Sequence, residues 1–324
     1  MRARLRRWDR LLPLFAWVTV AFTLLVILWG DYVVNSNSGM GCGDHWPTCN
    51  GTFVPANNAH SFIEYLHRAS SGIDLLLVVL LFSWIWLRGS SRALKVASLL
   101  GLIFMLVEAL LGAALVLFNL TIGNHQSTIS DQALAVAVHL INTFLLFGSL
   151  ALTALWTQAP PPRLRGSGAR GAALLIGILG FLFLGASGAI ASFGDILYPA
   201  RSLAAGFRQD FSPTTSFLIH LRVFHPLIAA LVGLYLLVTG LWMWRRGLGP
   251  AARRWALALL VLFLVQGALG GLNVLLLVPD WLALLHLMNA DLVWICLLAL
   301  SSSALAERGV AQRPEAQPAL SGLD

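Results

Sequence analysis

Charge is what this sequence has least of. Charged residues fill 11% of its 324 positions and hydrophobic ones 58%, against about a quarter charged in soluble domains. That scarcity excludes a soluble globular chain and indicates a polytopic membrane protein. The net charge of +7 does not argue for nucleic acid, which would need a basic face interleaved with stacking aromatics; here the basic residues sit in short connections. A small-residue cleavage site is also missing after the apolar run that follows Arg2, Arg4, Arg6, Arg7 and Arg10. The run exceeds the roughly 7–15 residues of a signal-peptide core, so it reads as a retained first helix. Cysteines number only three, so at most one bridge can form within the chain.

What is present is apolar length. A membrane helix needs about 20 mostly apolar residues, and eight stretches qualify: 11–30, 66–87, 96–118, 133–156, 171–193, 217–243, 255–277 and 282–304. The fold class is therefore all-α and integral to the membrane, with eight transmembrane helices. Of the 21 basic residues, all but Arg68, Arg201, Arg208 and Arg222 fall in one alternate set of connections or at the termini. By the positive-inside rule those connections, and both termini, are cytoplasmic. Twelve Trp and seventeen Phe suit membrane interfaces and packing around a flat ligand.

A Pro- and Gly-rich connection at the midpoint divides the chain into an N-terminal four-helix half (1–158), a cytoplasmic linker (159–170), a C-terminal four-helix half (171–305) and a polar cytoplasmic tail (306–324). The halves repeat one another. Glu108 follows His67 by 41 positions and Gln266 follows His225 by 41; Gly30 precedes His67 by 37 and Gly188 precedes His225 by 37. The segment His139-Leu140-Ile141-Asn142-Thr143 matches His286-Leu287-Met288-Asn289-Ala290, after 11 extra residues around Asn124 and His125 in the first half.

The repeat pairs His67 with His139 and His225 with His286, each in the outer third of an even-numbered helix. Intramembrane ionisable groups are costly and usually functional, and two imidazoles across facing helices are a recurring way to hold haem iron. Single core histidines bonded to backbone carbonyls are the bland alternative, and four at matched positions argue against it. Zinc is not expected, since two ligands per half fall short of three or four. His220, five residues before His225, competes with it; His45, His60 and His125 have no matched partners. Glu64 lies one helical turn before His67, on the same helical face, whereas the second half has Arg222 there. The carboxylate is thus the difference between the halves. Arg68 and Arg222 are candidates either for snorkelling to the interface or for holding propionates. Cys42 and Cys49 lie on the outer face, where a disulfide persists and is either structural or redox-active. Cys296 is alone and reads as a small core residue.

The stretch Ser38-Gly39-Met40-Gly41-Cys42-Gly43-Asp44-His45-Trp46-Pro47-Thr48-Cys49-Asn50-Gly51, followed by Glu64-Tyr65-Leu66-His67-Arg68 and by His139, His225 and His286, resembles the haem A synthase family of the bacterial type, shared with the mitochondrial enzyme. The resemblance covers about residues 10–305. It implies two pseudo-twofold-related four-helix bundles. In the second, haem b is held between His225 and His286. In the first, haem O lies between His67 and His139, and its C8 methyl group is oxidised to the formyl group of haem A for haem-copper terminal oxidases. The family's essential carboxylate falls on Glu64, as a base toward water or as a stabiliser of a cationic intermediate. Expected partners are haem O, haem A and the lipid bilayer of a bacterial cytoplasmic membrane, with haem O synthase and oxidase assembly proteins as further candidates and no nucleic acid. Two features depart from the family pattern: Val34-Asn35-Ser36-Asn37-Ser38 replaces a basic residue, and the third outer loop, 194–216, carries no cysteines. A dihaem electron carrier linked to quinol and a haem transporter or chaperone are the competing readings.

Overall fold

The computed structural model describes residues 2–122, 126–213 and 215–306, with side chains from residue 11 onward. The expected tail at 306–324, apart from Ala306, and the insertion at Asn124 and His125 lie outside the described residues. Ten α-helices follow in order: α1 Arg2–Asn35, α2 Ala59–Leu87, α3 Arg92–Leu117, α4 Ile129–Trp156, α5 Gly168–Leu197, α6 Leu203–Phe211, α7 Phe217–Arg222, α8 Phe224–Arg245, α9 Pro250–Leu275 and α10 Asp280–Ala306. Eight spans are long and apolar enough to cross a membrane, with α7 and α8 together forming the sixth. The all-α, eight-span architecture read from the sequence is the architecture observed, and the chain is a multi-pass membrane protein.

The boundaries differ where capping, rather than hydropathy, sets them. Helix α2 begins at Ala59 because the Asn58 side chain accepts from the Ser61 N–H at 2.9 Å, satisfying one of the helix's orphan donors. The apolar run itself starts only at 66, and the cap carries the helix back past Glu64, on the helical face its spacing from His67 implied. The expected linker, 159–170, is irregular only through Ser167, since α5 begins at Gly168. The third outer connection contains a further short helix, α6, which no apolar run announced. The sixth span is broken at Val223. Pro226 explains the break: it has no N–H for the Arg222 carbonyl four residues back, and its ring crowds that carbonyl.

The most buried helices are α4 and α10, which pack against each other and, with α1 and α5, join the two halves. Trp294 on α10 is 2% exposed; its ring stacks on Phe181 of α5 at 5.2 Å and its Nε1 donates to the Phe144 carbonyl of α4 at 2.8 Å. Gly148 is required beside it, because a Cβ there would lie 2.7 Å from Trp294 Nε1. The outer helices α3, α8 and α9 instead expose Leu110, Leu234 and Leu264, as lipid-facing surfaces should.

Asp74 and Asp291 are buried within the spans. Asp74 on α2 accepts from Thr23 Oγ1 of α1 at 2.9 Å. Asp291 on α10 is fully buried, and neither of its oxygens finds a partner among the described residues. Helix α10, which carries it, packs against α1.

Candidate functional site

The loop after α1 is tied down onto the first turns of α2. Cys42 and Cys49 are disulfide-bonded and almost fully buried. The Gly41 backbone lies so close to that of His60 and Ser61 that no Cβ fits, and Ser61 Oγ donates to the Gly41 carbonyl. Glu64, only 4% exposed, is the hub of this docking. Its Oε2 accepts from the Cys42 N–H at 2.7 Å. Its Oε1 accepts from Arg68 Nε at 3.1 Å and from Arg68 Nη2. Arg68 Nη1 continues to the carbonyls of His45 at 2.6 Å and Thr48 at 2.7 Å. The carboxylate and guanidinium one turn apart therefore form a buried, charge-assisted clamp on the disulfide loop. His60 joins the same edge through Ser38 Oγ at 3.1 Å, and Trp29 Nε1 of α1 donates to the Ile63 carbonyl at 3.0 Å.

The second half has the opposite polarity at the matching place. Arg222 donates to Asp210 Oδ1 at 2.5 Å, Asp195 Oδ1 at 3.0 Å and Gln209 Oε1 at 3.3 Å, so it fastens α6 to the end of α5. Arg68 and Arg222, both candidates for propionate contacts, thus spend donors on protein acceptors. His220 is turned the same way as Arg222: Nδ1 meets the Asp210 carbonyl at 2.9 Å and Nε2 meets Thr215 Oγ1 at 3.3 Å. It serves the loop, which leaves His225 as the sixth-span histidine facing the interior.

Each of the four matched histidines lies against a glycine of a neighbouring helix. A Cβ at Gly30 would stand 2.8 Å from the His67 ring, at Gly188 3.0 Å from His225, at Gly270 3.2 Å from His286 and at Gly112 4.0 Å from His139. Small residues let the backbones come close enough to hold the rings. Each half thus carries two imidazoles in glycine-lined slots, on α2 and α4 in the first and on α8 and α10 in the second. Ser187 Oγ lies 3.0 Å from His225 Nδ1. The Nδ1 atoms of His67 and His286 are buried without a partner among the described residues, a costly condition for a polar atom unless something else engages the ring. Two imidazoles per half, each in a glycine-lined slot, are donors that could hold a flat metallo-cofactor bringing its other ligands with it.

A second set of side chains fixes the fourth- and eighth-span histidines. Glu108 Oε1 is 3.5 Å from His139 Nε2. The same carboxylate accepts from Thr143 Oγ1 at 2.5 Å and from Asn142 Nδ2 at 2.6 Å, and Asn142 also donates to the Phe104 carbonyl. In the second half Gln266 Nε2 lies 3.1 Å from His286 Nε2, and its Oε1 accepts from Asn289 Nδ2 at 2.6 Å while Asn289 also donates to the Leu262 carbonyl. Asn142 and Asn289 stand in the repeated His-Leu-x-Asn strings, so the signal for them was present. Ser187, Asp74, Asp195 and Asp210 escaped notice because their partners lie on other helices or in loops at no regular spacing.

The chain is similar to a protein named protoheme IX farnesyltransferase from Thermus thermophilus, 43% identical over 306 residues, covering 93% of this chain and 49% of that one. It is similar to the heme A synthase of Exiguobacterium sibiricum, 29% identical over 241 residues, 71% of this chain and 74% of the relative. To the heme A synthase of Bacillus licheniformis it is 36% identical over 139 residues, 43% and 42% of the two chains. The chain spans about half the length of the Thermus thermophilus relatives it matches. A family model described as cytochrome oxidase assembly protein (COX15-CtaA) matches residues 13–298, and the chain belongs to that family.

Proposed function

We propose that the chain is a haem A synthase, oxidising the C8 methyl group of haem O to the formyl group of haem A. The observation that carries this reading is the doubled histidine site with unequal surroundings: Glu64 stands one turn before His67, and Arg222 stands one turn before His225. Family membership and similarity to proteins named heme A synthase support it. His67 and His139 would hold the substrate haem, and His225 and His286 a resident haem b. The resident group, when bound, supplies one-electron chemistry. The chain's own residues supply position. The glycines hold the imidazole rings at the helix interfaces, and Ser187 orients His225. Glu64 and Arg68 keep the disulfide loop over the outer end of α2, where it excludes water from the site.

The clamp also bears on the role of Glu64. Both oxygens already accept hydrogen bonds, one from the Cys42 N–H and one from Arg68, so the carboxylate is held in place. That favours a fixed electrostatic partner for positive charge developing on the substrate over a base that swings to collect a proton. Cys42 and Cys49 belong to the same unit, with a structural task in holding the loop. The setting we infer is a bacterial cytoplasmic membrane with the histidine sites toward the outer face. The similarity to a protein named protoheme IX farnesyltransferase fits an enzyme acting beside the one that makes haem O.

The deciding experiment is haem extraction and chromatography after expression in cells that do and do not make haem O. Haem A appearing only with haem O supports the synthase. Stable haem b at both sites with no haem A in either cell would instead make the chain a dihaem electron carrier.

A further inference from the structure

Glu108 and Gln266 occupy the same place in the repeat and touch the same atom of the matched histidine, Nε2 of His139 and of His286. Their chemistry is opposite. A carboxylate oxygen only accepts, and Thr143 and Asn142 already donate to the Glu108 oxygens, so the His139 nitrogen facing it presents an N–H. The Gln266 nitrogen only donates; Asn289 donates to Oε1 and thereby fixes which end of the amide faces the ring, so the His286 nitrogen presents its lone pair. Ala290 replaces Thr143 in the second half, which removes a donor the carboxylate needs and the amide does not. Side-chain exposures of 27% for His139 and 19% for Glu108 show that this pair is not sealed in packing.

We propose that Glu108 makes His139 a releasable ligand, whereas Gln266 leaves His286 a permanent one. This rests on the reading that the four histidines hold haem. A ring nitrogen binds iron only through its lone pair, so the His139 nitrogen must first lose the proton it turns toward Glu108, 3.5 Å away, whereas the His286 nitrogen facing Gln266 already offers its lone pair. The first site is thereby biased toward letting its occupant go. A substrate site has to discharge its product, and a resident cofactor has to stay, so residues 108 and 266 sort the two sites by residence time.

The test is a reciprocal exchange, Glu108→Gln and Gln266→Glu, both close to isosteric. Each is made in a protein that keeps one site: the first half is read with His286→Ala and the second with His139→Ala. The purified proteins are loaded with haem b as probe, and the rate of haem transfer to excess apomyoglobin is measured. Glu108→Gln should slow release from the first half by about tenfold and Gln266→Glu should speed release from the second by a similar factor, the scale of one ionic against one neutral contact. Unchanged rates at sites that do load, or both exchanges shifting release in one direction, overturn the proposal while leaving the haem reading intact. A parent protein that loads haem in neither half overturns both. Misfolding is monitored by the rate at which dithiothreitol reduces the buried Cys42–Cys49 disulfide, read by alkylation of the freed thiols, which stays at the parent's rate in a folded variant.

Discussion

Glu64 is a carboxylate with two duties, and its neighbours allow them to be separated. Glu64→Gln can still accept from the Cys42 N–H, so the fold and the second-half haem should persist while haem A production falls to background; chromatography of extracted haems reads both. Arg68→Ala removes the other side of the clamp and leaves a buried carboxylate unpaired, which should destabilise the docked loop by about 3–5 kcal/mol. That loss appears as faster reduction of the Cys42–Cys49 disulfide and a lower unfolding midpoint. His225→Ala should remove the bis-histidine absorption of the second site, whereas His220→Ala, which unties only the Asp210 and Thr215 contacts, should leave it. Much of this was legible from residue types at repeat-related positions: four histidines, Glu64 and the Glu108–Gln266 difference. The clamp was not, because the Cys42 N–H and the His45 and Thr48 carbonyls are backbone groups, and nothing in their residue types says which side chain they will meet.

At the scale of helices, the spans were written in hydropathy and their ends were written elsewhere. An Asn58 cap lengthened α2 by seven residues toward the outer face, and that extension puts Glu64, His67 and Arg68 on one rigid helix. Pro226 broke the sixth span just before His225, and α6 formed within a loop from only nine residues. The slots where helices meet give a graded prediction. Ala at Gly30 or Gly188 would drive a methyl into the facing imidazole, at 2.8 and 3.0 Å, and should abolish haem retention at that site. Ala at Gly112, 4.0 Å from His139, should be tolerated with less than about a twofold change, since that distance is ordinary van der Waals contact. Equal sensitivity at all three positions, measured as haem per protein after purification, would refute the slot geometry.

Across the whole molecule, the halves that look alike in sequence are joined by residues that differ between them. Trp294 stacks on Phe181 and bonds the Phe144 carbonyl, while the side chain of its repeat counterpart in the first half, Phe147, has no N–H to donate. Trp294→Phe should therefore cost about 0.5–1.5 kcal/mol by removing that second hydrogen bond to a carbonyl inside α4, seen as a lower midpoint of thermal inactivation. The sequence announced two halves and a linker; how α1, α4, α5 and α10 interlock depends on which large residue meets which glycine, and a repeat conceals that.

Asp291 sets a condition on how the chain enters the bilayer. A carboxylate near the centre of a helix adds about 2.5–3.5 kcal/mol to the cost of its insertion from the translocon, and α10 carries one with no hydrogen-bond partner among the described residues. Helix α1, against which α10 packs, was synthesised long before it. The tenth helix is thus expected to wait at the translocon until the first can shelter it. Asp291→Leu should let α10 integrate independently of α1, and glycosylation mapping of α10 with and without α1 would reveal the change.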